Sequence, residues 1–364
     1  MSTGNTPLDS VGETELSGQN FRDLWKRVKT NEQNLRKWRN VIIGGDFTTN
    51  PWQRGTAFAA VASGAYTADR WLVSYTTTGV VTVSQVADAP TLLQTNGYFT
   101  QHCFDVNVTT ADAAVAAGDY FTIGQKVEGL HCYHFGFGQS TGAKDICVSF
   151  WVKATKTGIY TVAIRNSATN RSYIAPYTVY VTDTWEYKAI RIPVDSSGTW
   201  LYTNGIGLHI TWALMGGATY QGTDNVWQAG NLFASTSQVN ALDTIGNRFK
   251  LALVSVTAAY DPPEFECRSY EDELALCQRY YCRPTCQFRA YTGDGFVGTV
   301  FPHPVTMRAV PTNATVGATP GNTNMGAWFG GFIGTDQYTT GYQFYPGVGT
   351  WYAYGAIVTA DAEL

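Results

Sequence analysis

The chain has 364 residues, of which 44% are hydrophobic and only 14% are charged, against about 25% charged residues in ordinary soluble domains. This length predicts two or more folded units with a substantial core. The net charge of −4 and the pI near 5.7 provide no basic surface for a polyanion, which argues against nucleic-acid binding. The 37 glycines, 22 tyrosines and 11 tryptophans favour strands and turns over helices.

The start of the chain carries no targeting signal. Residues 1–12 are polar, and no run approaches 18 apolar residues, so we expect neither a secretion signal nor membrane insertion. A chain that folds in the cytoplasm keeps its thiols reduced. We therefore expect the seven cysteines to form no disulfide framework.

Residues 1–40 contain the one charged, clearly helical stretch. Its apolar positions recur at alternating steps of three and four, which is the pattern of a coiled-coil seam. A helix of about three heptads is marginal in water by itself, so it needs a partner. We predict self-association, with an amphipathic helix lying on its own domain as the alternative. The seam consists of Phe21, Leu24, Val28, Asn31, Leu35 and Trp38.

From residue 41 onward the pattern changes to short strands separated by turn residues, which is typical of a β-sandwich or jelly roll. In one of them, Val148, Phe150 and Val152 alternate with Ser149, Trp151 and Lys153, as expected for a strand with one buried face and one more exposed face. The predicted strands are VIIGGDF, RWLVSYT, GVVTVSQV, YFTQHCFDVNV, DYFTIGQKVEG, KDICVSFWVKA, IYTVAIRN, YTVYVTDTWEYKAIRIPV, GIGLHITWALM and RFKLALVSVTA.

Two prolines, Pro262 and Pro263, end this strand series, and a short helix is predicted over residues 270–281. The fold class is therefore mainly β, with an N-terminal coiled-coil-like helix. We divide the chain into residues 1–40 for attachment and oligomerisation, 41–262 for a jelly-roll-like sandwich, 263–285 for a capping helix and linker, and 286–364 for a smaller C-terminal β domain.

Three patterns suggest chemistry, and each has a simpler explanation. Gly138 to Gly142 match G-x-S-x-G, but a strand follows where a hydrolase needs a helix, so a turn is favoured. The cysteines 267, 277, 282 and 286 lack the paired spacing of structural zinc sites, which favours buried thiols. The acidic residues at 264, 266, 271, 272 and 273 fit solvated charge near the start of the capping helix. We therefore predict no enzyme, no catalytic residue and no metal site.

Six blocks occur in order: IGGDFTTNPWQRG, YTADRW, VSFWVKAT, FECRSYEDELALCQRYY, FPHPVTMRAVPT and a terminal DAEL. From about residue 41 to the end the chain resembles a family of phage tail-fibre and virion structural proteins. The resemblance implies a jelly-roll domain similar to carbohydrate-binding modules, carried on a fibre whose N-terminal segment attaches to the particle. Modules with a similar opening often hold a structural calcium near an acidic residue such as Asp46. We expect no cofactor, with that calcium as the alternative.

Aromatic residues crowd the C-terminal unit. Flat rings bind the apolar faces of sugars, so these residues are candidates for receptor or glycan contact. Filling a small core or a subunit interface is the alternative use. The candidates are Trp328, Phe329, Tyr338, Tyr342, Tyr345 and Trp351.

Taken together, the resemblance and the seam predict a structural component of a tailed phage particle. We expect a homotrimeric fibre or appendage, assembled in the host cytoplasm and located in the virion, which contacts other virion proteins through its N-terminal segment and host-surface glycan through its distal surface. The alternative is a purely structural head fibre, collar or tail decoration protein that contacts no receptor.

Overall fold

The computed structural model describes residues 40–290, 297–318, 330–344 and 352–364, and for most of the strands after Cys282 it describes only the backbone pairing. The described chain is mainly β, as the sequence predicts. The predicted helical seam of residues 1–40 lies outside the described residues, apart from Asn40. No helix in the described ranges has the length and apolar character needed to cross a membrane.

Sheet I has six strands in the order β1-β3-β4-β14-β6-β9, and all its neighbouring strands are antiparallel. Its strands are β1 (Ala57–Phe58), β3 (Val80–Val86), β4 (Cys103–Thr110), β6 (Ile146–Ala154), β9 (Glu186–Ile192) and β14 (Arg248–Thr257).

Sheet II also has six antiparallel strands, in the order β12-β8-β7-β10-β5-β2. Its strands are β2 (Leu72–Thr76), β5 (Tyr120–Glu128), β7 (Gly158–Asn166), β8 (Arg171–Val179), β10 (Ile206–Gly216) and β12 (Trp227–Ala229). A short parallel pair, β11 (Gln221–Gly222) with β13 (Ala234–Ser235), follows a 3-10 turn at Ala218–Tyr220.

The two sheets pack face to face around one apolar core. Phe150 on sheet I meets Trp212 on sheet II with ring centroids 5.5 Å apart, and Trp71 lies 5.6 Å from the same indole. Val148, Phe150 and Val152 are fully buried in this core, which confirms the alternation predicted for β6. The sandwich is consistent with the expected jelly roll.

The first predicted strand, VIIGGDF, is wrong. Residues 41–47 are buried and form no regular strand. Val41 N donates to Val256 O of β14 at 3.0 Å and Gly45 O accepts from Val254 N at 2.9 Å, but side-chain acceptors take the main-chain N–H groups between these two points. Asn40 Oδ1 accepts from Ile42 N at 3.0 Å and Gln125 Oε1 accepts from Ile43 N at 3.0 Å. Gly44 then turns the chain at φ +65°, in the left-handed region that favours glycine.

The long predicted strand over residues 177–194 is two strands. β8 begins earlier, at Arg171, and ends at Val179, and β9 begins at Glu186. Asp183 lies between them at φ +49°, a turn conformation that Asp tolerates better than most residues.

The described residues include two α-helices. The single turn α1 (Gly129–Cys132) continues directly from β5 and is followed by a 3-10 turn at Tyr133–Phe135. The predicted capping helix is present as α2 (Tyr270–Gln278) and ends three residues earlier than predicted. Ser269 caps it by accepting a hydrogen bond from Asp272 N at 3.1 Å.

The remaining strands follow α2. β21 pairs with β15, β16 and β18, and a separate three-stranded sheet has the order β17-β20-β19. These strands are β15 (Tyr281–Cys282), β16 (Thr285–Ala290), β17 (Val297–Pro302), β18 (Thr312–Ala318), β19 (Gly330–Thr335), β20 (Thr339–Phe344) and β21 (Tyr352–Asp361).

Candidate functional site

Three basic side chains form a row across the outer face of sheet II. In the register of the antiparallel strands, His209 on β10 lies directly opposite Lys126 on β5 and directly opposite Arg165 on β7. Side chains alternate between the two faces of a strand, so Ile210 and Trp212 point into the core while His209 points outward. The row therefore lies on the face of sheet II that points away from the core, where all three side chains are partly buried.

This row lies in an open cleft of about 400 Å³. Three aromatic rings pack together on its wall: Tyr120 and Tyr220 have centroids 4.8 Å apart, and Tyr220 stacks on Phe233 at 4.7 Å. Hydroxyl groups of Thr122 and Thr211 add polar positions on neighbouring strands. We call this surface the basic cleft and define it by Tyr120, Lys126, Arg165, His209, Thr211 and Phe233.

Hydrogen bonds to neighbouring residues hold the charged side chains of the basic cleft. Arg165 donates from Nη1 to Asn231 Oδ1 at 2.5 Å and from Nη2 to Thr211 Oγ1 at 2.9 Å, and its guanidinium lies 5.1 Å from the Phe233 ring centroid. Lys126 Nζ donates to the main-chain oxygen of Leu364 at 2.6 Å. No Asp or Glu occurs among the described residues that line the cleft.

Burial disfavours charge on all three groups, and repulsion by neighbouring cations adds to it for His209 and Lys126. Burial, followed by the charges of Arg165 and Lys126, lowers the pKa of His209 to about 3, so its imidazole is neutral at pH 7. Burial also lowers the pKa of Arg165 to about 10. The pKa of Lys126 is lowered by burial first and then by nearby arginines.

A second surface lies on the outer face of sheet I. It is a groove of about 530 Å³, in which Trp151 and Tyr187 have ring centroids 5.5 Å apart and Tyr98 meets Phe265 at 5.1 Å. Leu253, in the floor, has φ +49° within a β-bulge where the pairing of β14 with β6 shifts register. We call this the aromatic groove and define it by Tyr98, Trp151, Tyr187, Leu253 and Phe265.

The structure describes two of the six predicted aromatic candidates, Tyr338 and Tyr342. Tyr338 is 55% exposed, next to a turn in which Asp336 Oδ1 accepts from its main-chain N–H at 2.7 Å. Tyr342 lies on β20 opposite Thr299 and Phe332. The other candidates lie outside the described residues: Trp328, Phe329, Tyr345 and Trp351.

The predicted oligomerisation residues also lie outside the described residues: Phe21, Leu24, Val28, Asn31, Leu35 and Trp38. Sequence reasoning missed both surfaces of the sandwich. A partial signal was present, because polar and basic residues alternate with apolar ones in the segments that became β5, β7 and β10. The strand register that aligns Lys126, Arg165 and His209 depends on the pairing of three strands and cannot be read from any one segment.

Asp46, the alternative calcium position, has both carboxylate oxygens engaged within the protein. Oδ1 accepts from Thr48 N at 3.1 Å and from Thr100 Oγ1 at 3.0 Å, and Oδ2 accepts from the Tyr98 hydroxyl at 2.8 Å. Throughout the described ranges, no group of three His, Cys, Asp or Glu residues is arranged to hold a metal ion.

Two expectations about the capping segment are corrected. Cys267 is exposed rather than buried, whereas Cys277 and Cys282 are buried as expected. Glu273 is not solvated: it is 4% exposed, its Oε2 accepts from Gly44 N at 2.8 Å, and its Oε1 lies 3.1 Å from Arg268 Nη1. The reason is that Cys277 of α2 packs against Ile43, so Glu273 lies where the Gly44 N–H needs an acceptor.

The G-x-S-x-G segment forms turns and bends, and β6 begins at Ile146 where a nucleophile elbow would need a helix.

No protein-family model and no curated protein matches the sequence. Solved structures similar to the chain include a family 61 carbohydrate-binding module in complex with β-1,4-galactotriose (12% identity, 61% of this chain and 99% of the module, TM-score 0.31). A second is the family 11 module of a cellulosomal cellulase of Clostridium thermocellum (12% identity, 56% of this chain and 97% of the module, TM-score 0.29). A third is the C-terminal family 22 module of a xylanase of the same organism (10% identity, 55% of this chain and 98% of the module, TM-score 0.28). TM-scores this far below 0.5 say nothing about what this chain binds.

Proposed function

We propose that the chain is a non-enzymatic, trimeric fibre or appendage of a tailed phage particle, and that its sandwich contributes to host adhesion by binding surface glycans. The observation that carries the glycan-binding part is the basic cleft, in which hydrogen-bonding side chains and aromatic rings share one solvent-facing surface. The place on a phage particle rests on the sequence resemblance.

The chemistry of the basic cleft suits a sugar ring. Sugars present hydroxyl groups at their edges and apolar C–H faces, and binding sites meet them with a few fixed polar groups and flat rings. The Thr122 and Thr211 hydroxyls and the Asn231 amide supply the polar groups, and Tyr120 and Tyr220 supply half-buried rings. These groups are held on strands of a packed sheet, which keeps them in place before a ligand arrives.

The same lining supports a binding role over hydrolysis. Glycoside hydrolysis generally uses two carboxyl groups placed on either side of the scissile bond. The described residues that line the cleft include no Asp or Glu. A fibre needs only adhesion, and several weak sites held together on one particle gain avidity without a tight single site.

A binding assay on purified host-surface polysaccharide tests this proposal with the full chain and two matched tyrosine variants. We expect Tyr120→Ala, in the basic cleft, to weaken binding by about tenfold, since a stacked ring contributes on the order of 1 kcal/mol or more. Tyr187→Ala, in the aromatic groove, should bind as the unchanged chain does. Release of reducing ends, absence of binding, or loss of binding with Tyr187→Ala alone would overturn the assignment.

The trimer is tested separately by light scattering. We expect the full chain to have the mass of a trimer and a chain lacking residues 1–40 to have the mass of a monomer, because the seam needs partners to be stable. Monomers in both cases would remove the fibre from the proposal and favour a decoration protein that binds the particle one copy at a time.

A further inference from the structure

Asn40, the first described residue, is bound firmly to the sandwich and is only 4% exposed. Its side-chain Oδ1 accepts from Val256 N at 2.9 Å, which connects it to the last part of β14. Its main-chain N–H donates to Glu266 Oε2 at 2.7 Å, and its main-chain oxygen accepts from Arg268 Nη2. The point at which residues 1–39 join the sandwich is therefore fixed in position.

A pocket of about 270 Å³ opens at this exit point. Asn40 and Val41 line it on one side, and α1 with the 3-10 turn that follows it contributes further lining residues. Two of these are open to solvent, since Leu130 is 47% exposed and Tyr133 is 61% exposed. We call this the exit pocket and define it by Val41, Leu130, His131, Tyr133, His134 and Leu276.

The exit pocket suits one apolar side chain. Its described lining includes no Asp or Glu, and the charge of its arginine, Arg268, is already answered by Glu266 and Glu273, each at 3.1 Å. The volume lies below the range of about 300–1,000 Å³ that is typical of small-molecule sites. A single large side chain therefore fits the pocket better than a free ligand does.

The sequence provides such a side chain at Trp38, two residues before the exit point. Consecutive Cα atoms are about 3.8 Å apart, so the Cα of Trp38 lies within about 8 Å of that of Asn40. Tryptophan is among the side chains that bury the most apolar surface. The residues around it, Arg36, Lys37 and Arg39, carry charges that an apolar pocket disfavours. Trp38 is thus the one side chain of this short stretch that matches the pocket in both reach and chemistry.

We propose that the exit pocket holds the Trp38 side chain of the same chain, and that this contact sets the direction in which the N-terminal segment leaves the sandwich. Docking removes the exposed surfaces of Leu130 and Tyr133 from water together with the indole, which provides the driving force. The predicted seam keeps its positions from Phe21 to Leu35 for self-association. The inference is independent of the proposed glycan binding.

Thiol labelling of Leu130→Cys in the full chain tests this inference. With Cys267→Ser and Cys286→Ser in the background, the remaining native cysteines are buried. We expect slow labelling under native conditions and a rate at least about tenfold higher after Trp38→Ala, because burial of a large apolar side chain is worth at least that factor. Trp38→Phe should keep most of the protection, since a phenyl ring fits the same pocket.

Val181→Cys in the same background is the matched control. Val181 is 51% exposed, close to the value for Leu130, and lies in the loop between β8 and β9. The neighbouring Thr182 hydroxyl donates to Thr155 O at 2.6 Å, which places this loop beside the first residue of β14, whereas the exit pocket lies near its end. Trp38→Ala should leave the labelling rate of Val181→Cys unchanged.

Fast labelling of Leu130→Cys while Trp38 is present, or a rate that Trp38→Ala does not alter, would overturn the inference. An equal rise in the rate of Val181→Cys would also overturn it, because the substitution would then loosen the whole sandwich. Tyr133→Cys repeats the measurement on the same pocket if Leu130→Cys fails to fold.

A mixed refolding identifies the source of the ring. The chain carrying Leu130→Cys and Trp38→Ala is refolded with an excess of chain that keeps Trp38 and has no cysteine at position 130. We expect fast labelling to persist, because the pocket is filled from within one chain. Restored protection would assign the pocket to Trp38 of a second copy and overturn docking within the same chain.

Discussion

Arg279 binds both carboxylate oxygens of Glu128, with Nη2 2.6 Å from Oε1 and Nε 2.9 Å from Oε2. Glu128 ends β5 and is fully buried, and the Tyr280 hydroxyl donates to its Oε2 at 2.6 Å. A bidentate pair of this kind has a fixed geometry as well as a charge. It connects the residues that follow α2 to the end of sheet II that also carries the basic cleft.

Removing the arginine of this pair should destabilise the fold strongly. In Arg279→Met, the buried Glu128 carboxylate loses its bidentate partner and keeps the hydrogen bond from the Tyr280 hydroxyl. Breaking a buried pair from one side costs about 3 kcal/mol or more. We expect the free energy of unfolding, measured by urea titration at pH 7, to fall by this amount. The matched control is Arg191→Met, which breaks the pair with Asp145 on the exposed edge of sheet I and should cost much less, because exposed ion pairs contribute little to stability. Equal losses would show that the Glu128 pair acts as an ordinary surface contact.

The burial of Asp69 predicts that its contribution to stability falls as the pH rises, whereas a carboxylate with a lowered pKa contributes more at higher pH. Burial raises the pKa of Asp69 to about 6, although Gln53 N donates to Oδ2 at 2.8 Å and Arg54 Nη1 lies 3.3 Å from Oδ1. The pKa of an unfolded Asp is about 3.9. Because the folded state binds the proton more tightly, stability from this group is present below about pH 4 and is lost as the pH rises through 6.

We therefore expect the unchanged chain to lose stability relative to Asp69→Asn between pH 4 and pH 7, by up to about 3 kcal/mol. The difference between the two chains cancels the titration of all other groups to a first approximation. Urea titrations of both chains at several pH values in this range provide the measurement. A difference that grows in favour of the unchanged chain as the pH rises would mean that Arg54 outweighs burial at this carboxyl.

How far the sequence predicts the fold is clear from two segments of similar composition. β6 was predicted correctly because its signal is local: every second residue is apolar, and those residues face the core. VIIGGDF has equally apolar residues and was predicted wrongly, because the acceptors that hold it, Gln125 and Glu273, are far away in the sequence. Residues that satisfy a buried main chain from a distance leave no pattern in the segment that they hold.

The candidate site was harder to predict for the same reason. The aromatic residues of the C-terminal unit attracted attention because they are dense in sequence. Lys126, Arg165 and His209 lie on three separate strands and become neighbours only through the register of sheet II. Each is unremarkable where it stands in the chain, so composition and spacing give no reason to group them.

Trp71 and Trp212 are both buried, with ring centroids 5.6 Å apart, but replacing each by phenylalanine should lower stability by different amounts. Trp71 Nε1 donates to Gly44 O at 3.2 Å, whereas Trp212 Nε1 is buried and has no hydrogen-bond partner among the described residues. Replacement by phenylalanine removes similar volume from the same core in both cases. Trp71→Phe also loses a hydrogen bond, so we expect it to cost about 1 kcal/mol more than Trp212→Phe in urea unfolding. Equal costs, or a larger cost for Trp212→Phe, would contradict the assignment of these two N–H groups.

Thiol reactivity should single out one cysteine of the sandwich and capping helix. Cys267 is exposed, while Cys103, Cys132, Cys147, Cys277 and Cys282 are buried. Burial raises the pKa of several of these thiols, that of Cys132 to about 12, and a protonated buried thiol is a poor nucleophile. In a chain carrying Cys286→Ser, we expect a thiol reagent at pH 8 to label one cysteine quickly and the others only on unfolding. Adding Cys267→Ser should abolish the fast phase, and a fast phase that survives would show that the sandwich opens to expose a buried thiol under native conditions.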